Sequence, residues 1–269
     1  MVAKSGGPDE PQIQWYPGHM AKAMRRIGEA LALVDVVVEA IDARVPRSGA
    51  NPMLDRALGR KRRIVALTRS DLADPATTRA WLDALRKRGI TAIAVDAHEQ
   101  RSVARIATLL AANAERGTTR AMVVGIPNSG KSSIVNGLLR RAAAKTENRA
   151  GITRRTQWFR LSPHVEVMDT PGVLPPKIAS TTSQWKLAAV GAVPSERYDP
   201  EHVARSLSLW AAHHGAGIPP PEAFAAERGF VRRGGKVDEH NAAQSYLRAF
   251  EAGKFGRITL EKPDDAEAT

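Results

Sequence analysis

The stretch from residue 121 to 136, AMVVGIPNSGKSSIVN, restricts the fold more than any other part of the chain. Residues 121–124 form a short apolar run suited to a buried strand. Residues 125–132 then fit G-x-x-x-x-G-K-[ST], and Ile134, Val135, Leu138 and Leu139 follow at helical spacing. Strand, glycine-rich loop and helix in this order predict a phosphate-binding loop. Gly125 and Gly130 allow backbone shapes that a Cβ would block. The N–H groups of Asn128, Ser129, Gly130, Lys131, Ser132 and Ser133 are then expected to face phosphate oxygens, helped by the dipole at the helix N-terminus. Lys131 would reach the β- and γ-phosphates, and the Ser132 hydroxyl would ligate Mg²⁺.

The flanking pattern places this loop in an α/β sheet. Strands are predicted over 36–41, 64–67 and 91–95. A second pair, 157–161 and 165–168, is predicted to join across Ser162-Pro163-His164. Helices are predicted over 51–58, 75–88 and 102–116. Met20, Met24, Ile27, Leu31 and Val34 are spaced as one face of an earlier helix. Alternation of this kind implies a doubly wound, mostly parallel sheet, in which ligands sit at the carboxyl ends of the strands. Beyond Pro175-Pro176 the alternation stops. Residues 182–190, 201–213, 221–228 and 238–252 read as helices between glycine and proline clusters. The expected organisation is a flexible segment at 1–11, a nucleotide domain at 12–177, a small helical domain at 178–262 and an acidic tail at 263–269.

Composition narrows the function classes. The chain of 269 residues is 43% hydrophobic, enough to bury a sizeable core. It has no cysteine, which excludes thiol catalysis, disulfides and cysteine-ligated zinc. No apolar run approaches the ~18 residues of a membrane span, and the first residues lack a signal-peptide core. A cytoplasmic protein with no membrane partner, acting as a monomer, is the expectation. Net charge is +12, and the surplus lies in residues 1–177; residues 178–269 hold slightly more acid than base. A polyanion such as nucleic acid is the partner this field suits.

Four further motifs complete a GTPase-like set. Thr153, in Gly151-Ile152-Thr153-Arg154, would close on Mg²⁺ and the γ-phosphate. Asp169, in Asp169-Thr170-Pro171-Gly172, would hold Mg²⁺ through a water, while the Gly172 N–H senses the γ-phosphate. At the end of the second strand, Thr68-Arg69-Ser70-Asp71 offers a carboxylate. Asp71 would accept from guanine N1–H and its exocyclic amine, a donor pair adenine lacks. Asp96-Ala97-His98 ends the next strand. The guanine motifs precede the phosphate loop here, so the chain reads as a circular permutation, which close domain termini permit.

This order, together with QWYPGHMAKA, DARVPRSGANP, GIPNSGKSS, GITR, DTPGVL and KFGRITLE, closely resembles the ribosome biogenesis GTPase A, or YlqF-type, family over residues 12–261. The resemblance implies a GTPase that binds GTP or GDP with Mg²⁺, contacts ribosomal RNA and helps mature the large ribosomal subunit through its precursor. Three positions depart from the family pattern. Thr68 and Arg69 stand where asparagine and lysine are usual; threonine can still hydrogen-bond and the Arg69 stem can cover the base. Asp96-Ala97 stands where serine-alanine is common, and the resemblance implies that the Ala97 N–H meets guanine O6. The helical domain is not net basic, so its RNA contact would rest on Arg232-Arg233-Lys236 or Lys254 and Arg257.

Val173 follows Gly172 where many GTPases place a water-orienting glutamine, so hydrolysis by the chain alone should be slow. By the resemblance, His19 is the substitute; it also suits a turn histidine capping the next helix. Asn128 resembles the asparagine that supports potassium in potassium-stimulated GTPases, or is a solvent-facing loop residue. His213 and His214 should diverge on their helix, which argues against a metal site. Trp15, Trp185 and Trp210 suit a core or domain interface better than base stacking. Two functions of different class remain: a GTPase switch on the ribosomal precursor, and an RNA-binding scaffold whose guanine nucleotide is mainly structural. A small-molecule phosphotransferase would need an acceptor pocket and lid rather than a basic surface and helical appendage.

Overall fold

β1 (Val36–Asp42) is buried at every position, as a strand covered on both faces must be. It lies at the middle of a six-stranded sheet with β2 (Arg62–Thr68), β3 (Thr91–Val95), β4 (Thr119–Val124), β5 (Trp158–Ser162) and β6 (Val165–Asp169), in the order β3-β2-β1-β4-β6-β5. All neighbours are parallel except the β5–β6 hairpin at one edge. The computed structural model describes Arg25 and residues 28–59, 61–112, 117–143, 158–169, 180–230 and 238–264. The mostly parallel, doubly wound sheet expected from the sequence is present. The strand that feeds the phosphate loop is fourth along the chain and lies beside the first, as circular permutation requires.

Side-chain alternation along the strands separates two apolar layers. Val36, Val38 and Ala40 pack with Val103, Ile106 and Leu110 of α3 (Gln100–Ala111) and Ile134, Val135 and Leu138 of α4 (Lys131–Ala143). On the opposite face, Val37 meets Leu31, Val34 and Leu54 and Leu58 of α1 (Pro52–Leu58). Ile41, Val65 and Leu67 meet Trp81 and Leu85 of α2 (Pro75–Lys87). The start of α2 is fixed by Pro75 and by Asp74, whose side chain accepts from the Thr77 N–H at 2.7 Å. The Thr77 hydrogen bonds hold the Asp74 carboxyl below the usual carboxylate range. The helix expected to run to Val34 ends at Leu31; Val34 still buries, but from the turn that leads into β1. The helix expected from 102 begins at Gln100.

The described residues after 180 form helices: α5 (Thr181–Ala189), a 3-10 turn (Ser195–Arg197) that the sequence pattern did not suggest, α6 (Pro200–His214), α7 (Pro221–Glu227) and α8 (Glu239–Glu251). Leu187, Leu207, Phe224, Tyr246, Leu247 and Phe250 form their shared core. Burial pushes the Tyr246 hydroxyl up to about 12, and it donates to the Pro219 carbonyl at 2.9 Å. Trp185 and Trp210 pack against this core, as expected of them; Trp15 lies outside the described residues. Two nucleotide-domain residues, Val45 and Ile126, are buried in the same core. Among the described residues, no helix is long and apolar enough to cross a membrane.

The segment after α8 ties the helical region back to the sheet. Arg257 is exposed and partnered. Its guanidinium donates to the Ala73 carbonyl at 3.2 Å and the Ser70 carbonyl at 2.9 Å. The chain then runs back along the nucleotide domain: the Ile258 N–H meets the Leu72 carbonyl and the Leu260 N–H the Arg44 carbonyl. Glu261 accepts from the N–H groups of Arg47 (2.7 Å) and Ser48 (3.1 Å) and from the Ser48 hydroxyl. Its own carbonyl receives the Trp81 indole N–H at 2.9 Å. The other suggested patch, Arg232-Arg233-Lys236, lies outside the described residues.

Candidate nucleotide site and its family

The carboxyl ends of β2, β3, β4 and β6 share one edge of the sheet, and each leads into a motif the sequence singled out. Gly125 sits at φ +154, where a Cβ would come 2.4 Å from the Ala40 carbonyl oxygen and 2.6 Å from Ser129 Oγ. Gly130 sits at φ +84 with the Thr68 side chain 3.1 Å from where its Cβ would be. Both glycines are therefore demanded by close approach as well as by φ. The N–H groups of Asn128, Gly130, Ser132 and Ser133 have no acceptor among the described residues. Ser129 Oγ is buried without a partner among the described residues. Lys131 is buried, and its ammonium turns into the loop to donate to the Ile126 carbonyl at 3.1 Å. Unmet donors, an orphaned hydroxyl and an inward cation at a helix start fit a bound phosphate chain. Ser132 and Ser133 are exposed on the first turn of α4, which starts at Lys131 inside the loop motif.

The guanine side differs in detail from the expectation. Thr68 is buried, and its hydroxyl reaches the Ile41 carbonyl (3.1 Å) and the Ser129 carbonyl (2.7 Å). It fastens the end of β2 to the phosphate loop across β1. Arg69 lies in the left-handed region, φ 51, and points its head group sideways. Its Nη1 is 3.5 Å from Asp42 Oδ2 and 3.3 Å from the Val190 carbonyl oxygen. A buried carboxylate and a carbonyl at a helix end draw the guanidinium there, so only the stem is left to border a base. Asp71 is half-buried and its carboxylate has no partner among the described residues. At the end of β3, Asp96 turns the chain by accepting the His98 N–H at 2.8 Å, while its own N–H donates to Ser102 Oγ at 2.9 Å. The Ala97 N–H is left without an acceptor among the described residues.

Asn128 is exposed but not free. In the left-handed region at φ 55, its Nδ2 donates to the Gly191 carbonyl at 2.7 Å, and its Oδ1 has no protein partner among the described residues. Asp169 ends β6 in register with Val123, one strand over from the phosphate loop. His19, Thr153 and Gly172 lie outside the described residues. Away from the site, His213 and His214 do not diverge. Side-chain rotation brings their rings edge to face at 4.9 Å, and His214 stacks on Trp210.

A buried cluster beside the site escaped the sequence reading. Arg44 is 1% exposed and grips Asp42 with two bonds, 3.0 Å from Nε and 2.8 Å from Nη2. Its Nη1 also meets the Glu251 carbonyl at 3.0 Å and the Phe250 carbonyl at 3.4 Å, at the carboxyl end of α8. The signal available was an acid and a base two residues apart at a strand end, DAR; nothing local shows that their partners lie some two hundred residues on.

Comparison with known proteins agrees with this geometry. Residues 120–196 match a family model described as 50S ribosome-binding GTPase. Ribosome biogenesis GTPase A of Priestia megaterium is 38% identical over 95% of this chain and 98% of its own length. The GDP-bound structure of YlqF from Thermotoga maritima superposes with a TM-score of 0.73 at 33% identity, covering 90% of this chain and all of that one. The GNP-bound structure of the same protein gives the same score over 91% of this chain. With the permuted sheet, the phosphate loop and the partnerless Asp71 in place, the chain belongs to the ribosome biogenesis GTPase A family of circularly permuted GTPases.

Proposed function

We propose that this chain hydrolyses GTP as an assembly factor of the large ribosomal subunit, binding the precursor particle and its RNA in a nucleotide-dependent way. One observation supports this most: a carboxylate, Asp71, and an N–H, that of Ala97, both without partners among the described residues, stand on the sheet edge that also carries the phosphate cradle. Asp71 would read guanine, with Ala97 at O6 and the Arg69 stem beside the ring. The amides of Asn128 to Ser133 and the Lys131 ammonium would hold the phosphates. Ser132, Asp169 and Thr153 would hold Mg²⁺, which neutralises phosphate charge when bound. The Asn128 amide oxygen is the group that would take potassium. The basic surplus of residues 1–177 suits the RNA backbone. The chain would act as a cytoplasmic monomer.

Valine at 173 cannot orient water, so we assign that task to His19, with the Gly172 N–H sensing the γ-phosphate. The expected result is slow single-turnover hydrolysis by the chain alone and marked stimulation by large subunits. In His19→Ala, GTP binding should survive and the stimulation should vanish. If His19→Ala hydrolyses normally on the particle, the histidine is structural. The burial of Ile126, a phosphate-loop residue, in the helical core favours a second reading, an RNA scaffold stabilised by its nucleotide. That protein would bind RNA equally with GDP or a GTP analogue.

A further inference from the structure

Among the described residues, two that are not glycine have positive φ: Arg69 at 51 and Asn128 at 55. Asparagine tolerates this region; arginine does so rarely, and such strain persists only where surroundings impose it. One residue belongs to the guanine loop and the other to the phosphate loop, 59 positions apart in the chain. Both donate to the same turn in the helical region. Arg69 Nη1 is 3.3 Å from the Val190 carbonyl oxygen and Asn128 Nδ2 is 2.7 Å from that of Gly191, the next residue.

The turn is built to receive them. Val190 caps the carboxyl end of α5, where carbonyls lack helical partners and carry the negative end of the dipole. Arg44 Nη2 also approaches the Val190 carbonyl, at 3.5 Å. Gly191 stands at φ +75, and a Cβ there would come 2.4 Å from the Glu251 carboxylate. The Gly191 N–H closes on the Ala188 carbonyl at 3.0 Å and the Ala192 N–H on that of Leu187 at 2.9 Å, so the turn has little freedom. Ile126, two residues before Asn128, is buried in the core that contains Leu187, Val190 and Val193.

We infer that the Val190–Gly191 turn is a working part of the nucleotide site: it sets the guanine loop and the phosphate loop relative to each other, and Arg69 and Asn128 are the positioning residues through which it does so. The inference rests on the reading of these loops as a guanine-nucleotide site. It makes nucleotide affinity depend on a backbone turn that offers no ligand group of its own. By reciprocity, occupancy of the site shifts the turn and the helices attached to it. The route is non-covalent and separate from the chain link between β6 and α5.

The test uses the full chain, Mg²⁺ and fluorescent GDP. Gly191→Ala, which strains the turn at φ +75 and displaces the Glu251 carboxylate, should weaken GDP binding about tenfold, within the usual range for coupled sites. Leu207→Ala removes a fully buried side chain of the helical core that belongs to neither loop nor to the turn. It should lower the melting temperature and leave GDP affinity unchanged. If Gly191→Ala binds GDP like the parent, or if the two variants lose affinity in step with lost stability, the turn is only glue between domains and the inference is wrong. Should Gly191→Ala not fold, a binding cycle of Arg69→Ala and Asn128→Asp decides: the two losses should be strongly non-additive, and simple additivity would overturn the inference. Failure of the unmutated chain to bind GDP would instead sink the guanine-site reading.

Discussion

Arg44→Met should lower the stability of the folded chain by about 3–5 kcal/mol, the usual cost of leaving one partner of a buried ion pair alone. The Asp42 carboxylate is 2% exposed, and Arg44 supplies its two close side-chain bonds. Arg69, at 3.5 Å, is a weaker substitute. The same substitution strips donors from the carbonyls of Phe250 and Glu251. Since a domain's whole margin is about 5–15 kcal/mol, the effect should be plain in urea unfolding. Adding Asp42→Leu should recover much of the loss, because the orphaned charge goes with it. A loss below about 1 kcal/mol in Arg44→Met would mean that the pair does not hold the helices to the sheet.

Asp71→Asn should exchange guanine for xanthine nucleotides. The amide offers an N–H where xanthine carries a second carbonyl, and it repels the guanine amine that the carboxylate accepts. Sites built around such hydrogen bonds discriminate by about 10⁴ or more, so GTP affinity should fall by orders of magnitude while xanthosine triphosphate gains. Competition binding with the two nucleotides checks this. Asp71 has no partner among the described residues, so the prediction is clean of any contact seen there. Unchanged GTP binding in Asp71→Asn would place the base elsewhere.

Much of the site was legible because its logic is local. Strand, glycine loop and helix follow one another within residues 119–143, and their apolar spacing and glycines are visible without partners. The same holds for β3, where the predicted span matches Thr91–Val95, and for Pro75 as a helix start. What escaped were contacts between distant segments. Thr68 could be read as a polar residue near the base, but not as the bolt on Ser129. Arg69 and Asn128 could be read as loop residues, but their shared partner lies beyond an entire switch segment. The lysine and arginine of KFGRITLE suggest phosphate, but nothing local shows that Arg257 and Glu261 also bind backbone groups at 70–73 and 47–48.

The central claim is that bound nucleotide controls engagement with the ribosomal particle. Purified large and small subunits should be sedimented with the chain in parallel, at one fixed salt concentration, with GDP and with a non-hydrolysable GTP analogue, because salt alone shifts RNA binding steeply. The account predicts binding to large subunits that is strong with the analogue, weak with GDP, and absent from small subunits. Equal sedimentation with both nucleotides would contradict it and leave the RNA scaffold as the better description.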